Sequence, residues 1–254
     1  MRLRTLTAWA PEGCPDIRPG MDLSRVIFDL VRSNNLTPED LDVFVIAHKV
    51  VSKSEGSVVN LDEVTPTPRG QALAEETGKD PRLCQVILNE SRAILRVRPG
   101  LIIAEHRLGF ICANAGVDHS NVGLGPQWVA TLPTDPDRSA QAIRRALEEA
   151  LGVRVAVIIN DSHGRAFREG AVGVALGSAG LAPLYNYIGK EDLYGYVLQT
   201  SVEALADELA SAASLLQGQA AEGTPVILIR GARVEMDAGG AKPLLRDPAR
   251  DLFR

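Results

Sequence analysis

Val155-Ala156-Val157-Ile158-Ile159-Asn160-Asp161-Ser162-His163-Gly164-Arg165 is the stretch from which the rest of the chain is best read. An unbroken apolar run gives way to an amide, an acid, a hydroxyl, an imidazole, a glycine and an arginine, with Arg168 and Gly170 just beyond. The run reads as a buried strand over 155–159, with polar chemistry at its end. An acid fixed at a strand end can hold a hard divalent cation, and the neighbouring hydroxyl can join it. The arginine forks of Arg165 and Arg168 can grip phosphate or carboxylate oxygens in bidentate fashion. An Asx-type turn flanked by surface arginines fits the same residues. The segment alone leaves metal-assisted phosphate chemistry and a simple turn both open.

Outward from this stretch, residues 137–151 form a strongly amphipathic pattern that stops at Gly152 and feeds the 155–159 strand. Upstream, Leu23, Val26, Ile27, Leu30 and Val31 recur at helical spacing, with Asp22 placed to cap them. Residues 42–47 read as a second buried strand, and 71–77 and 81–91 as short helices. Three short strands over 93–97, 101–105 and 109–113, divided by Arg-Pro-Gly and Arg-Leu-Gly turns, predict an antiparallel meander. Downstream, strands are expected over 172–177, 197–200 and 226–229, and a long helix over 202–216. Residues 220–224 are expected to form a mobile loop and 235–242 a poorly packed one. No clean βαβ repeat emerges, so the expected class is α+β. At 254 residues, the chain allows one large domain or two interlocked subdomains.

Composition narrows the function classes. Hydrophobic residues make up 45% and charged residues 23%, as in ordinary globular proteins. A net charge of −5, without a basic stripe or tail, argues against non-specific nucleic-acid binding. Aromatic residues are only 4%, too few for base-stacking platforms. No apolar run is long enough to span a bilayer, and the first residues lack a secretory core, so no membrane partner is expected. Cys14, Cys84 and Cys112 are odd in number and far apart, which suits reduced thiols in a cytoplasm better than disulfides or a zinc site.

Three further constellations carry chemistry. In Cys112-Ala-Asn114-Ala-Gly-Val-Asp118-His119-Ser120-Asn121-Val122, Asp118 offers a carboxylate at the end of another strand. If the two strand ends converge, Asp118 and Asp161 could share divalent ions, with magnesium or manganese preferred for oxygen ligands. The alternative is an Asn/Asp-rich loop that satisfies its own backbone. In Ala47-His48-Lys49-Val50-Val51-Ser52-Lys53-Ser54-Glu55-Gly56, lysines at a strand exit can reach phosphate as point charges, or can be solvated in a surface loop. Gly13-Cys14-Pro15-Asp16-Ile17-Arg18-Pro19-Gly20 is a turn-rich entry to the first helix with free backbone N–H groups. Neither a P-loop nor a dinucleotide fingerprint is present.

Taken together and in order, these segments resemble the coenzyme F420:L-glutamate ligase family, the F420-0:gamma-glutamyl ligases. The resemblance rests on Gly13–Gly20 with Asp22-Leu23, on Val50–Gly56, on Ala113–Val122, and on Asn160–Arg168 with Gly170. Gly78–Arg82, Leu132–Asp137, Asp192–Gly195, Ala206–Glu208 and Arg230-Gly231 add to it, so that it covers roughly residues 10 to 232.

The resemblance implies a GTP-dependent ligase that joins the amino group of L-glutamate to a carboxylate of the F420 precursor. It implies Mg2+ or Mn2+, two per site, a stimulating K+, and an intertwined homodimer of two mixed α+β subdomains. By position, Asp118 and Asp161 would be metal ligands and act in catalysis. Ser162 would stand in for the family's threonine, and Gln219 would help to hold the second metal. Gly13, Cys14, Pro15, Asp16, His48, Lys49, Lys53 and Asn121 would touch GTP, and the segment from Gln217 through Gly218 to Gly223 would close over it.

Arg165 and Arg168 are expected to bind the phosphate-bearing precursor or glutamate carboxylates, or else to form a structural ion pair with Glu169 or another acid. His163 is expected to accept a proton or, more simply, to be a hydrogen-bonding turn residue. The chain is read as one ligase domain over 1–254, without the flavin-reductase-like domain fused in some relatives. A related amide ligase acting on another carboxylate, and a non-catalytic regulator that binds nucleotide or metal, stay open as alternatives.

Overall fold

Continuous apolar runs become the central strands because both faces of their sheet are covered. The computed structural model describes residues 4–252. In chain order the elements are β1 (Thr7–Trp9), α1 (Leu23–Ser33), β2 (Val43–Ala47), α2 (His48–Glu55), β3 (Val58–Asn60), α3 (Pro68–Thr77) and α4 (Pro81–Glu90). Then follow β4 (Ser91–Arg98), β5 (Leu101–His106), β6 (Ile111–Ala113), β7 (Trp128–Ala130), α5 (Pro136–Leu151), β8 (Ala156–Arg165) and β9 (Arg168–Ala179). The chain continues through β10 (Tyr185–Asn186), β11 (Val202–Glu203), α6 (Leu205–Gln217) and β12 (Val226–Arg230). The mixed α+β class is as expected.

The main sheet has the order β1-β12-β2-β8-β9. Only β2 and β8 run parallel within it; the other pairs are antiparallel. Strand alternation sends Phe44, Ile46, Val157, Ile159 and Leu228 to one face, against α1, α2 and α5. Val43, Val45, Ile158, Ile227 and Ile229 face α6 on the other side. Each fully buried side chain of this kind contributes on the order of 1.5–3 kcal/mol by leaving water. A second core forms around α3, α4 and the β4-β5-β6 meander, through Leu73, Cys84, Ile87 and Ile102.

Two glycines of β9 let helices approach on opposite faces. A Cβ on Gly177 would lie 2.4 Å from the Pro136 carbonyl carbon at the start of α5, and one on Gly173 would lie 2.2 Å from the Ala210 oxygen of α6. Helix α5 begins one residue before the expected 137 and ends where expected: Asp135 accepts from the Arg138 N–H, Pro136 takes the first turn, and Gly152 closes the helix at φ +73°.

Several expectations are overturned. The 155–159 strand does not stop at a turn but continues to Arg165, paired with β9 throughout. The stretch 48–55 is a helix rather than a strand-exit loop, and Lys53 is only 7% exposed rather than solvated. Residues 197–200 form no strand; Val197 makes a lone bridge to Glu191. The helix predicted from 202 starts at Leu205, because Val202–Glu203 pairs with β10. The 235–242 loop is exposed over much of its length, as expected, but its end is packed: Ala241 is buried, and its N–H donates to Asp137 Oδ1. Among the described residues, no helix is long and apolar enough to cross a membrane.

Candidate phosphate and cation site

The parallel register of β2 and β8 sets the site. Ala47 lies opposite Asn160, so the next residues, His48 and Asp161, emerge side by side. Helix α2 begins there without a side-chain cap, which leaves its first N–H groups without a side-chain partner from the cap residue. His48 is buried, with Nε2 3.4 Å from Asp161 Oδ1 and Nδ1 3.4 Å from the Ser52 hydroxyl. His163, two residues along the same strand face, places Nε2 3.3 Å from Asp161 Oδ2, off the line of a hydrogen bond. It is a strand residue, not the turn residue expected. Burial alone would raise the Asp161 carboxyl; His48 and His163 outweigh that and hold it far below the usual carboxylate range.

The alternate face of β8 points to α6. Asn160 and Gln217 exchange amide hydrogen bonds at 2.8 and 3.1 Å, and the Ser162 hydroxyl donates to Gln219 Oε1 at 3.0 Å. Asp161 and Ser162 thus leave the strand on opposite sides, which suits two separate cations or a bridged ligand better than one shared ion. The strap after α6 is tied across the pocket, since Asn121 Nδ2 donates to the Ala220 carbonyl at 3.0 Å. Within the strap, the Ala220 N–H donates to Glu222 and the Thr224 hydroxyl to the Leu216 carbonyl.

Asp118 is presented by a strained turn. Asn114, Ala115 and Gly116 have successive φ values of +52°, +51° and +70°, and Asp118 then bridges to Ala130. Left-handed backbone at the two non-glycine residues costs on the order of 1–2 kcal/mol each. The Asn114 Oδ1 is buried without a partner. Lys49 Nζ meets Asp118 Oδ2 at 2.7 Å, and the Ser120 N–H donates to Asp118 Oδ1 at 2.8 Å. Burial pushes the Asp118 carboxyl up, but Lys49 and Ser120 pull it below its ordinary value. One helical turn on, Lys53 pairs with Asp16 at 3.1 Å and lowers that carboxyl as well.

These elements enclose a cavity of about 320 Å³. Cys14 and Pro15 come from the entry loop, His48, Lys49 and Lys53 from α2, and Asn121 from the strained loop. Asp161 and Ser162 come from β8, and Gly218, Gln219 and Gly223 from the strap. Gly13, Asp16 and Asp118 lie off the wall, the two aspartates touching it through Lys53 and Lys49. Arg165 and Arg168 do not reach it. They face each other at the exposed tip of the β8-β9 hairpin, and Arg165 donates to the Glu169 carbonyl rather than pairing with its carboxylate. Ser214, Thr224 and Pro225, which the sequence did not single out, also line the cavity. Their signal was only nearness to a glycine-rich strap.

Neither nearby thiol is activated as a thiolate. Burial pushes Cys14 up despite Lys53, and burial with the Asp161 charge pushes Cys112 up to about 12. Among the described residues, no three His, Cys, Asp or Glu side chains converge as a metal cage. The chain offers isolated carboxylates with hydroxyl and amide oxygens instead.

An α+β protein whose pocket combines lysines, ionised aspartates and an amide-rich strap is equipped to bind phosphate and hard cations. The family model described as F420-0:Gamma-glutamyl ligase matches residues 13–231, and the chain belongs to that family. It is 50% identical over 242 residues to the coenzyme F420:L-glutamate ligase of Methanopyrus kandleri, covering 94% of this chain and 93% of the relative. The enzyme of the same name from Methanothermobacter thermautotrophicus is 50% identical over 246 residues, 96% of each chain. That from Archaeoglobus fulgidus is 40% identical over 243 residues, 96% of this chain and 94% of the relative.

Proposed function

We propose that this protein is a GTP-dependent ligase that forms an amide between the amino group of L-glutamate and the carboxylate of F420-0. The observation that carries the reading is the cavity at the β2 and β8 strand ends, where ionised Asp161 and two lysines, each backed by its own aspartate, line the wall beside an amide strap. A free carboxylate is a poor acyl donor. It attacks the γ-phosphoryl group, giving an acyl phosphate and GDP, and the glutamate amine then displaces phosphate. The first step brings two anions together, so charge neutralisation and positioning dominate catalysis.

Mg2+ or Mn2+ fits the donor set. Asp161 and Asp118 offer one ionised carboxylate each, Ser162 and Gln219 offer neutral oxygens, and such ions take their remaining positions from water and phosphate. When bound, these cations supply Lewis-acid neutralisation of the phosphate chain. Residues Asp118, Asp161, Ser162 and Gln219 would hold them. Lys49 and Lys53 supply positive charge at the phosphates, Asn121 and the strap hold the nucleotide, and His48 orients Asp161 from a buried position. K+ stimulation belongs to the same reading.

A homodimer is part of the proposal as well. Leu193 and Tyr194 stand 95% and 94% exposed on one loop, and Phe167 is 89% exposed at the hairpin tip, side chains that a second copy would cover. In that arrangement Arg165 and Arg168 would bind acidic substrate groups from the hairpin.

Mass spectrometry of a reaction containing F420-0, GTP, Mn2+ and L-glutamate tests the function. A product heavier by one or more glutamyl residues, with GDP formed in step, is expected. GDP release without glutamyl product, or product with no GTP requirement, overturns the reading. Light scattering tests the dimer, and a stable active monomer refutes it.

A further inference from the structure

Asp118 is fully engaged by groups of its own chain. Oδ2 accepts from Lys49 Nζ at 2.7 Å and from the Ser120 hydroxyl at 2.8 Å, while Oδ1 accepts from the Ser120 N–H at 2.8 Å. Lys49 also donates to the Ser120 hydroxyl, which closes a three-membered ring of polar groups. Lys49 lines the cavity and Asp118 does not, so the ammonium stands between that carboxylate and any ligand. An ammonium is a compact charge on a flexible four-carbon stem, able to leave one anion for another without backbone movement. The pair is partly exposed, Lys49 at 22% and Asp118 at 43%, so the ion pair itself contributes only about 1 kcal/mol.

From this geometry we infer that Lys49 is an exchangeable placeholder for the cation at Asp118. A divalent cation displaces the ammonium, and the freed ammonium turns into the cavity to take a nucleotide phosphate. Cation and nucleotide therefore bind with positive coupling through one side chain, each removing the competitor of the other. The inference rests on the proposed function, because it takes Asp118 as a cation ligand. The other pocket lysine is built differently. Lys53 is buried, and its partner Asp16 sits in the entry loop outside the proposed ligand set, so no exchange is expected there.

The test is Mn2+ binding to the intact protein, followed by electron paramagnetic resonance of the free ion, with and without GDP. Lys49→Met removes the competitor, and Mn2+ binding without GDP tightens by about three- to tenfold, the worth of a partly exposed ion pair. The further tightening that GDP brings to Mn2+ binding shrinks in the same variant. Lys49→Arg, whose fork can hold Asp118 through two hydrogen bonds, weakens Mn2+ binding instead. Lys53→Met leaves Mn2+ binding within about twofold of the parent, a change of about 0.4 kcal/mol.

Mn2+ binding by Lys49→Met no tighter than the parent's overturns the exchange. So does equal tightening in Lys53→Met, which would assign the effect to net charge alone. Parent protein that binds neither Mn2+ nor GDP is a distinct result and overturns the proposed function itself.

Discussion

Gly173 links the stability of the sheet to the shape of the cavity, and replacing it with alanine should damage both. Its register partner is Ser162, and α6 lies directly on it. The added methyl would sit 2.2 Å from the Ala210 oxygen, 2.6 Å from its carbonyl carbon and 3.0 Å from the Ser211 nitrogen. All three are main-chain atoms, so no rotamer change relieves the clash. Comfortable separation is about 3.5 Å, so α6 must retreat on the order of 1 Å. Overpacking of this kind costs roughly 1–3 kcal/mol, and a rigid main-chain contact puts Gly173→Ala near 3 kcal/mol. In a chain of this size that corresponds to about 6–12 °C in melting temperature.

The retreating helix carries Gln217 away from Asn160 and shifts the strap that places Gln219 beside Ser162. A misplacement of about 1 Å lowers turnover by roughly a hundredfold at temperatures where the variant is still folded. Calorimetry and steady-state kinetics on the same preparation measure both effects. Gly164→Ala is the control, since a Cβ there meets nothing within 4 Å. A Gly173→Ala protein that melts within about 2 °C of the parent with unchanged kcat would refute the reasoning.

Asp118→Asn and Asp161→Asn should each abolish turnover while the protein stays folded; wild-type rate and metal affinity in either variant would remove that residue from the cation site. Lys53→Ala should raise the KM for GTP more than that for glutamate, and the reverse ranking in saturation kinetics would move Lys53 out of the nucleotide site. Away from the site, Glu90 accepts from buried His106 at 3.2 Å and from Arg107 at 3.0 Å. Burial raises its carboxyl, but these two partners outweigh burial and hold it below the ordinary glutamate value. The stability it contributes is therefore fully present above the ordinary glutamate pKa of the unfolded chain and is lost as pH falls through the lowered folded one. Urea midpoints should show Glu90→Gln less stable than the parent at neutral pH, with the gap closing in acid; an equal gap at both would contradict the assignment.

The parts of the fold that were legible in sequence are those whose local pattern and tertiary environment agree. The apolar runs of β2, β8 and β12 are buried on both faces, and α5 carries its cap, its proline and its terminal glycine in order. Helix α2 was hidden because His48-Lys-Val-Val-Ser-Lys-Ser-Glu lacks a side-chain cap and an apolar stripe; it holds through Val50 and Val51 in the core and through Gly56 at its end. The far half of β8 was hidden for a similar reason. Asn160-Asp-Ser-His has no apolar alternation, yet its backbone pairs with β9 through Arg165. The chemical types at the site could be read from the chain. The pairing of each lysine with its aspartate could not, because it depends on the strained Asn114–Gly116 turn and on the entry loop.

The location of the site follows from one topological fact. Parallel strands end at the same edge of a sheet, and side chains just past their carboxyl ends converge there. In this sheet β2 and β8 are the parallel pair, so His48 and Asp161 can follow Ala47 and Asn160 out of register-matched positions. Antiparallel pairing would have carried the same two residues to opposite edges. Helix α2 starts immediately at His48, which fixes the imidazole against Asp161 and turns Lys49 and Lys53, one turn apart, along a single face of the pocket. Two like charges at that spacing repel, and the fold resolves this by giving each its own aspartate from a different loop. Charge is thus gathered by the sheet and balanced by the loops, so a ligand that brings both phosphate and cations can replace those internal pairs without leaving a buried charge alone.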